Sequence, residues 1–191
     1  MGRNGRPPLR LVRGGMEGTA DGMPWVRVGS PEEDGDVDAV VLEEDTWLIL
    51  SAKPKVTVPR DQPVRLFTEL HGLEPLAPGT VLVQREEPLT LMAVIHDFGA
   101  DPCCRTEWIE TALDGILRFC RERRLRSLLL PLFGVRHGGV APEISTRIIT
   151  GILRRDASAP LHTVVVDAPP GAAAEVGRLL RAQTTEEGNE A

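Results

Sequence analysis

The sequence contains no tyrosine, few other aromatic residues and only three cysteines. With three tryptophans and four phenylalanines in 191 residues, few rings are available to stack on a nucleobase, and Phe98 and Phe133 are the candidates. The cysteines, of which Cys103 and Cys104 are adjacent, exclude a disulfide framework and fit a reducing compartment, so we expect a cytoplasmic protein. We expect no metal site, because no fourth ligand accompanies these cysteines and His96 at a useful spacing.

The sequence also lacks an excess of positive charge and a long hydrophobic segment. Its formal net charge of −6 argues against a protein whose main role is to bind duplex nucleic acid, because phosphate neutralisation requires an extended basic face. No apolar run is long enough for a signal peptide or a membrane span. We therefore expect neither a duplex nor a membrane partner, and a protein partner stays open.

Composition divides the chain into three parts. Residues 1–23 contain six glycines and four arginines and little that could be buried, so we expect a disordered leader. Residues 184–191 predict a disordered acidic tail. Residues 24–183 are long enough for one domain of average size with one core, and therefore for one principal site.

Seven short apolar runs, bounded by glycine, proline or acidic residues, predict β-strands. They begin at Trp25, Asp38, Thr46, Thr80, Leu89, Ser127 and His162. The runs at Leu89, Ser127 and His162 are almost continuously apolar, which is typical of strands covered on both faces. The acidic residues Glu43, Glu44 and Asp45 are interpreted as a hydrated surface turn between two of the strands. This pattern predicts a layered α/β core.

Segments of helical period alternate with the last strands. The clearest predicts a helix from Arg105 to about Arg124. Its apolar stripe consists of Trp108, Ile109, Ala112, Leu113, Ile116, Leu117 and Cys120. Further helices are predicted from near Pro142, from about Ala172 to Ala182 and, shorter, from Val64 to Leu70. The helix near Pro142 has its apolar positions at Ile144, Ile148, Ile149, Ile152 and Leu153. Alternation of strand and helix predicts parallel strands joined by right-handed crossovers.

A glycine-containing loop follows the strand at Ser127. In an open α/β sheet, ligands bind at the carboxyl ends of parallel strands, where helix amino termini present free N–H groups. Glycine permits positive φ and close approach of a ligand oxygen to the amides, while Arg136 and His137 supply side-chain donors. FGVRHGG is neither a Walker A loop nor a dinucleotide fingerprint, and tight strand-to-helix packing is the alternative role. The candidate phosphate-binding residues are Gly134, Val135, Arg136, His137, Gly138 and Gly139, with Phe133 as a weaker one.

Two polar residues end the strand at Leu89. His96 and Asp97, together with His137, are weak candidates for acid/base catalysis. They would lie near the glycine-containing loop if this strand neighboured the one at Ser127. The alternative is that the His-Asp pair caps the strand end. We therefore predict no catalytic residue beyond these three candidates.

The order of the elements and three motifs resemble a macro domain. The motifs are VDAVV at Val37, AVIHDF at Ala93 and LPLFGVRHGG at Leu130, and the resemblance covers roughly residues 36–167. It implies a three-layer α/β/α sandwich with a mixed, largely parallel sheet, which binds ADP-ribose or a related phosphorylated nucleotide without a cofactor. It also implies that residues 134–139 wrap the phosphates and that His96 matches a histidine that commonly ends the preceding core strand.

Two motifs of that family are absent. Where the family has an Asn-Ala-Ala-Asn run beside the distal ribose, this sequence has Leu42 to Asp45. The triple-glycine loop is replaced by a proline-rich segment, in which Ser51, Lys53 and Lys55 are weaker candidates for phosphate contact. The resemblance favours a binding module for an ADP-ribose-like ligand. The alternatives are a degenerate fold with a structural or protein-interaction role, and a hydrolase of ADP-ribosyl or phosphoester bonds.

Overall fold

Strands and helices alternate along the second half of the chain, as the apolar pattern predicts. The computed structural model describes residues 25–31, 36–50, 74–84, 88–156 and 160–186. The strands are β1 (Trp25–Gly29), β2 (Ala39–Asp45), β3 (Val81–Gln84), β4 (Leu89–His96), β5 (Ser127–Pro131) and β6 (Thr163–Asp167). The helices are α1 (Thr106–Arg123), α2 (Pro142–Arg155) and α3 (Pro170–Glu186). The predicted leader and the predicted helix from Val64 to Leu70 lie outside the described residues.

The six strands form one sheet in the order β1-β6-β5-β2-β4-β3. Among the described strands, only β3 is antiparallel to its neighbour, β4, and the other pairs are parallel. The prediction of an α/β fold with a mixed, largely parallel sheet is therefore confirmed. The carboxyl ends of β1, β6, β5, β2 and β4 all meet at one edge of the sheet, and loops after these strands can assemble a site there.

The main hydrophobic core lies between one face of the sheet and the three helices. Val41 and Leu91, which are in register on β2 and β4, are buried on this face, as is Val164 on β6. The predicted stripe of α1 is buried from Ile109 to Cys120, whereas Trp108 is half-buried beneath the Arg105 guanidinium at 5.1 Å. Burial of one apolar stripe explains why the helical period predicted α1 correctly.

Helices α2 and α3 differ from their predictions in detail. In α2, Ile144 is exposed, and the buried positions include Thr146 and Thr150. Both threonine hydroxyls donate to backbone carbonyls one turn earlier, at 2.8 and 2.9 Å. Each buried hydroxyl therefore has a hydrogen-bond partner. Helix α3 ends at Glu186, two residues beyond the predicted start of the tail. None of the three described helices has a hydrophobic stretch that could span a lipid bilayer.

The strand predicted at Thr46 is wrong, because the chain turns there. Asp45 ends β2, and its carboxylate accepts hydrogen bonds from the backbone N–H groups of Trp47, Ile49 and Leu50 at 2.7, 2.8 and 3.0 Å. A carboxylate that binds three nearby backbone amides favours a turn over an extended strand. The apolar run TWLIL therefore forms the loop that leaves the carboxyl edge of the sheet.

Candidate ligand-binding site

A cleft of about 200 Å³ opens at the carboxyl edge of the sheet. Its apolar lining is formed by Val40, Val41, Leu42, Leu50, Leu129, Pro31 and Pro131. Its polar lining is formed by Glu43, Arg136, His137 and Asp167. We call it the ligand cleft, because an apolar concavity with a few convergent polar groups is typical of small-molecule sites.

Residues 134–139, here called the glycine loop, form a tight turn beside the ligand cleft. Gly134 has φ +73°, and its carbonyl accepts hydrogen bonds from Gly138 N–H at 2.9 Å and Val140 N–H at 3.1 Å. A Cβ on Gly138 would lie 2.4 Å from the Cβ of Cys104 and 2.9 Å from the Gly134 carbonyl oxygen. Positive φ at Gly134 and the close approach at Gly138 explain why glycine occupies both positions.

Three amides of the glycine loop take no part in its internal hydrogen bonds. The N–H groups of Gly138 and Val140 donate to the Gly134 carbonyl. Within the part of the chain that the structure describes, the N–H groups of Arg136, His137 and Gly139 donate to no acceptor. Unpaired amides close together in a glycine-containing turn are a suitable site for an anionic oxygen.

Arg136 lies at the mouth of the ligand cleft. Its Nη2 is 3.1 Å from Oδ2 of Asp167, the last residue of β6. The arginine side chain is 47% exposed and the aspartate 24% exposed, so the pair is a partly solvated salt bridge of modest strength. A phosphate can therefore approach the remaining donors of the Arg136 guanidinium.

Glu43 joins β2, β4 and the glycine loop. Its Oε2 lies 2.9 Å from His96 Nε2, and its Oε1 accepts a hydrogen bond from Gly134 N–H at 2.9 Å. The sequence interpretation of a hydrated acidic turn is wrong, since Glu44 and Asp45 are 0% and 1% exposed and the Glu43 side chain is 7% exposed. The carboxylates of Glu43 and Asp45 are tolerated because hydrogen-bond donors face them.

His96 lies at the end of β4, buried and in contact with two other rings. It is 0% exposed. Its ring stacks on Phe98 with centroids 5.9 Å apart and meets the edge of His137 at 6.1 Å. Its Nδ1 has no hydrogen-bond partner within the described ranges. The expected adjacency of β4 and β5 is not observed, because β2 lies between them. The loop after β5 nevertheless brings His137 close to His96.

The remaining candidate residues have separate positions. Asp97 accepts a hydrogen bond from Gly99 N–H at 2.9 Å, which is a local turn contact. Phe98 is exposed, whereas Phe133 is fully buried in the main core, so Phe133 cannot stack on a ligand. Ser51, Lys53 and Lys55 lie outside the described residues. Of the three acid/base candidates, His137 has the most exposed side chain.

Two polar residues that line the ligand cleft were missed as site candidates by the sequence interpretation. Asp167 and Glu43 each lie at or near the carboxyl end of a parallel strand, and that shared position is the signal that could have found them. Neither belongs to a recognisable motif. Across the described ranges, no group of three or more histidine, cysteine or acidic side chains is placed to bind a metal ion.

The two buried thiols, Cys104 beside the glycine loop and Cys120 in α1, both have raised pKa values. Burial, with a smaller contribution from the Glu43 carboxylate and then Cys103, raises the pKa of the Cys104 thiol from 9.0 to about 12. Burial, and to a lesser degree Asp38, raises the pKa of the Cys120 thiol to about 12 as well. The stability associated with both protonated thiols is present below pH 9 and is lost as the pH rises from 9 towards 12.

We expect iodoacetamide at pH 8 to alkylate Cys103 well before Cys104 and Cys120 in the native chain. A pKa of about 12 instead of 9.0 lowers the thiolate fraction about 1000-fold, and only the thiolate is reactive. A time course with mass-spectrometric fragmentation distinguishes the adjacent residues. The Cys103→Ser variant is the control and should take up almost no label; labelling of Cys104 as fast as Cys103 would contradict the prediction.

Solved structures of macrodomains resemble this structure. The Oceanobacillus iheyensis macrodomain with ADP has a TM-score of 0.62 at 13% sequence identity, over 85% of this chain and 91% of that chain. The Trypanosoma brucei macrodomain in complex with ADP-ribose has a TM-score of 0.57 at 16% identity, over 83% of this chain and 68% of that chain. No protein-family model and no curated protein sequence matches significantly. The chain therefore has the macrodomain fold, as its motifs predicted.

Proposed function

We propose that the protein binds ADP-ribose or a related phosphorylated nucleotide in the ligand cleft, with the phosphates on the glycine loop. The observation that carries the proposal is the set of amides at Arg136, His137 and Gly139 that donate to no acceptor in the described parts of the chain. They lie beside an exposed guanidinium, and amides combined with arginine are a recurring phosphate-binding arrangement. The macrodomains with ADP and ADP-ribose share this fold, which supports the same ligand class.

The two carboxylates of the ligand cleft favour a ligand with hydroxyl groups as well as phosphates. Glu43 already accepts from His96 and Gly134, and Asp167 already accepts from Arg136. Both would repel a bare phosphate, whereas a sugar hydroxyl can donate to a remaining lone pair of either carboxylate. A nucleotide sugar therefore fits the cleft better than inorganic phosphate does.

One apolar residue of the cleft indicates that the distal ribose of the ligand contributes little binding energy. Leu42 is 37% exposed and stands where the resemblance places the first asparagine beside the distal ribose. A leucine cannot donate or accept a hydrogen bond, so an unpaired ribose hydroxyl there would lose affinity. We therefore expect the affinities for ADP and for ADP-ribose to differ less than they would if hydrogen-bonding residues surrounded the distal ribose.

Replacing Arg136 by alanine should weaken binding of ADP-ribose by about 10- to 100-fold, because a hydrogen bond to a charged group contributes roughly 1.5–3 kcal/mol. Isothermal titration calorimetry of ADP-ribose, ADP and pyrophosphate against the full chain measures the change. Arg178→Ala, which removes an exposed arginine of α3, is the matched control and should bind normally. If the unmodified protein gives no heat at millimolar ADP-ribose or ADP, the proposed function is wrong.

A further inference from the structure

A second cleft lies at the opposite edge of the sheet from the ligand cleft. It is lined by Arg121, Arg124, Arg126, Pro160 and His162, and its volume is about 420 Å³. We call it the basic cleft. It is formed where α1 ends, where β5 begins and where the chain enters β6. Its lining therefore brings together three arginines and a histidine in a chain whose net charge is −6.

The nearby carboxylates compensate only part of the positive charge of the basic cleft. Asp156 pairs with Arg121. The Asp38 carboxylate accepts instead from the backbone N–H groups of Arg126 and Ser127, at 2.6 and 3.0 Å. In the described parts of the chain, the guanidinium groups of Arg124 and Arg126 have no acidic partner. Two exposed guanidinium groups thus face a concave surface with their donors available.

The backbone conformation of Arg124 is an independent reason to infer that the arginine side chain has a function. Arg124 ends α1 in the left-handed conformation, with φ 56° and ψ 40°. Glycine is the preferred residue at such a helix end, because any Cβ is strained there. Complementing the helix dipole accounts for Arg121 and Arg123 within the last turn, but it does not require a charged residue at the strained position.

We propose that the basic cleft is a second anion site, which binds the phosphate groups of a small phosphorylated molecule. Guanidinium groups match phosphate oxygens in pairs, and the volume lies in the range of small-molecule sites. The cleft is too short for nucleic acid, which requires an extended basic face. It lies roughly 17 Å from the ligand cleft along the five-residue strands β5 and β6, so the two sites are separate.

The proposal is tested by titrating pyrophosphate and ADP into the full chain carrying Arg136→Ala, which weakens the ligand cleft. We expect residual pyrophosphate binding that Arg124→Gly combined with Arg126→Gln weakens at least tenfold. The melting temperature of the combined variant should not fall, since glycine suits the left-handed position. Arg178→Gln in the same background is the matched control and should leave binding unchanged.

Three results would overturn the proposal. The first is pyrophosphate affinity that is equal in the combined variant and the control. The second is binding of a single-stranded oligonucleotide without any binding of pyrophosphate or ADP, which would indicate a macromolecular partner. The third is loss of all pyrophosphate binding with Arg136→Ala alone, which would leave the ligand cleft as the single anion site. Failure of ADP-ribose binding to the unmodified chain would not affect these outcomes, so the two proposals fail independently.

Discussion

Replacing Gly138 by valine is expected to abolish nucleotide binding by the glycine loop and to destabilise the fold. A Cβ there would lie 2.4 Å from Cys104 Cβ and 2.9 Å from the backbone oxygen of Gly134, and neither atom belongs to a flexible side-chain end. Overpacking of this kind costs about 1–3 kcal/mol. The backbone of the glycine loop, which carries the unpaired amides, would also have to shift.

Urea unfolding and titration with ADP-ribose measure the two effects of Gly138→Val separately. Gly151→Ala is the matched control, because a Cβ on this α2 glycine meets nothing within 4 Å. It should stabilise the protein by about 0.5–1 kcal/mol and leave binding unchanged. Wild-type affinity in a folded Gly138→Val variant would show that the ligand does not use the glycine loop, and would favour a structural or protein-interaction role.

Replacing Glu43 by alanine is expected to be the most destabilising change at the site. It removes the acceptor for Gly134 N–H and the partner of His96 Nε2. His96 is fully buried, so water cannot replace the lost carboxylate at its ring. Each orphaned buried donor costs about 1–3 kcal/mol. The free energy of unfolding, measured in urea with wild-type protein as reference, should fall by the sum of both costs.

Glu43→Gln separates the hydrogen bonds of Glu43 from its charge. The glutamine oxygen can still accept from Gly134 N–H, and its amide can donate to His96 Nε2 if the ring proton moves to Nδ1. We expect this variant to keep most of its stability and to bind ADP-ribose more tightly, because a negative charge beside the phosphates is removed. Equal losses of stability in Glu43→Gln and Glu43→Ala would contradict the assigned hydrogen bonds.

The most accurate sequence predictions concern elements that bury a single stripe or a continuous apolar run. The α1 stripe repeats at the helical period over more than three turns, and the apolar runs of β4, β5 and β6 are bounded by polar residues. Both signals are local, so they can be detected without knowledge of the neighbours. The predicted strand at Thr46 failed because an apolar run of five residues does not reveal that Asp45 binds the amides of the turn.

The sequence by itself determined the α/β class, the parallel order of the second half and the position of the glycine loop after β5. Local periodicity and backbone chemistry are sufficient for these properties. Only the tertiary structure decided that β2 separates β4 from β5 and that Glu43 bridges His96 and Gly134. It also decided that Phe133 is buried and that the arginines after α1 line a cleft. The physical reason is that strand order, side-chain burial and hydrogen-bond pairing depend on residues that are distant in the chain. The sequence around an acidic run does not indicate which hydrogen-bond donors will contact it in the folded protein.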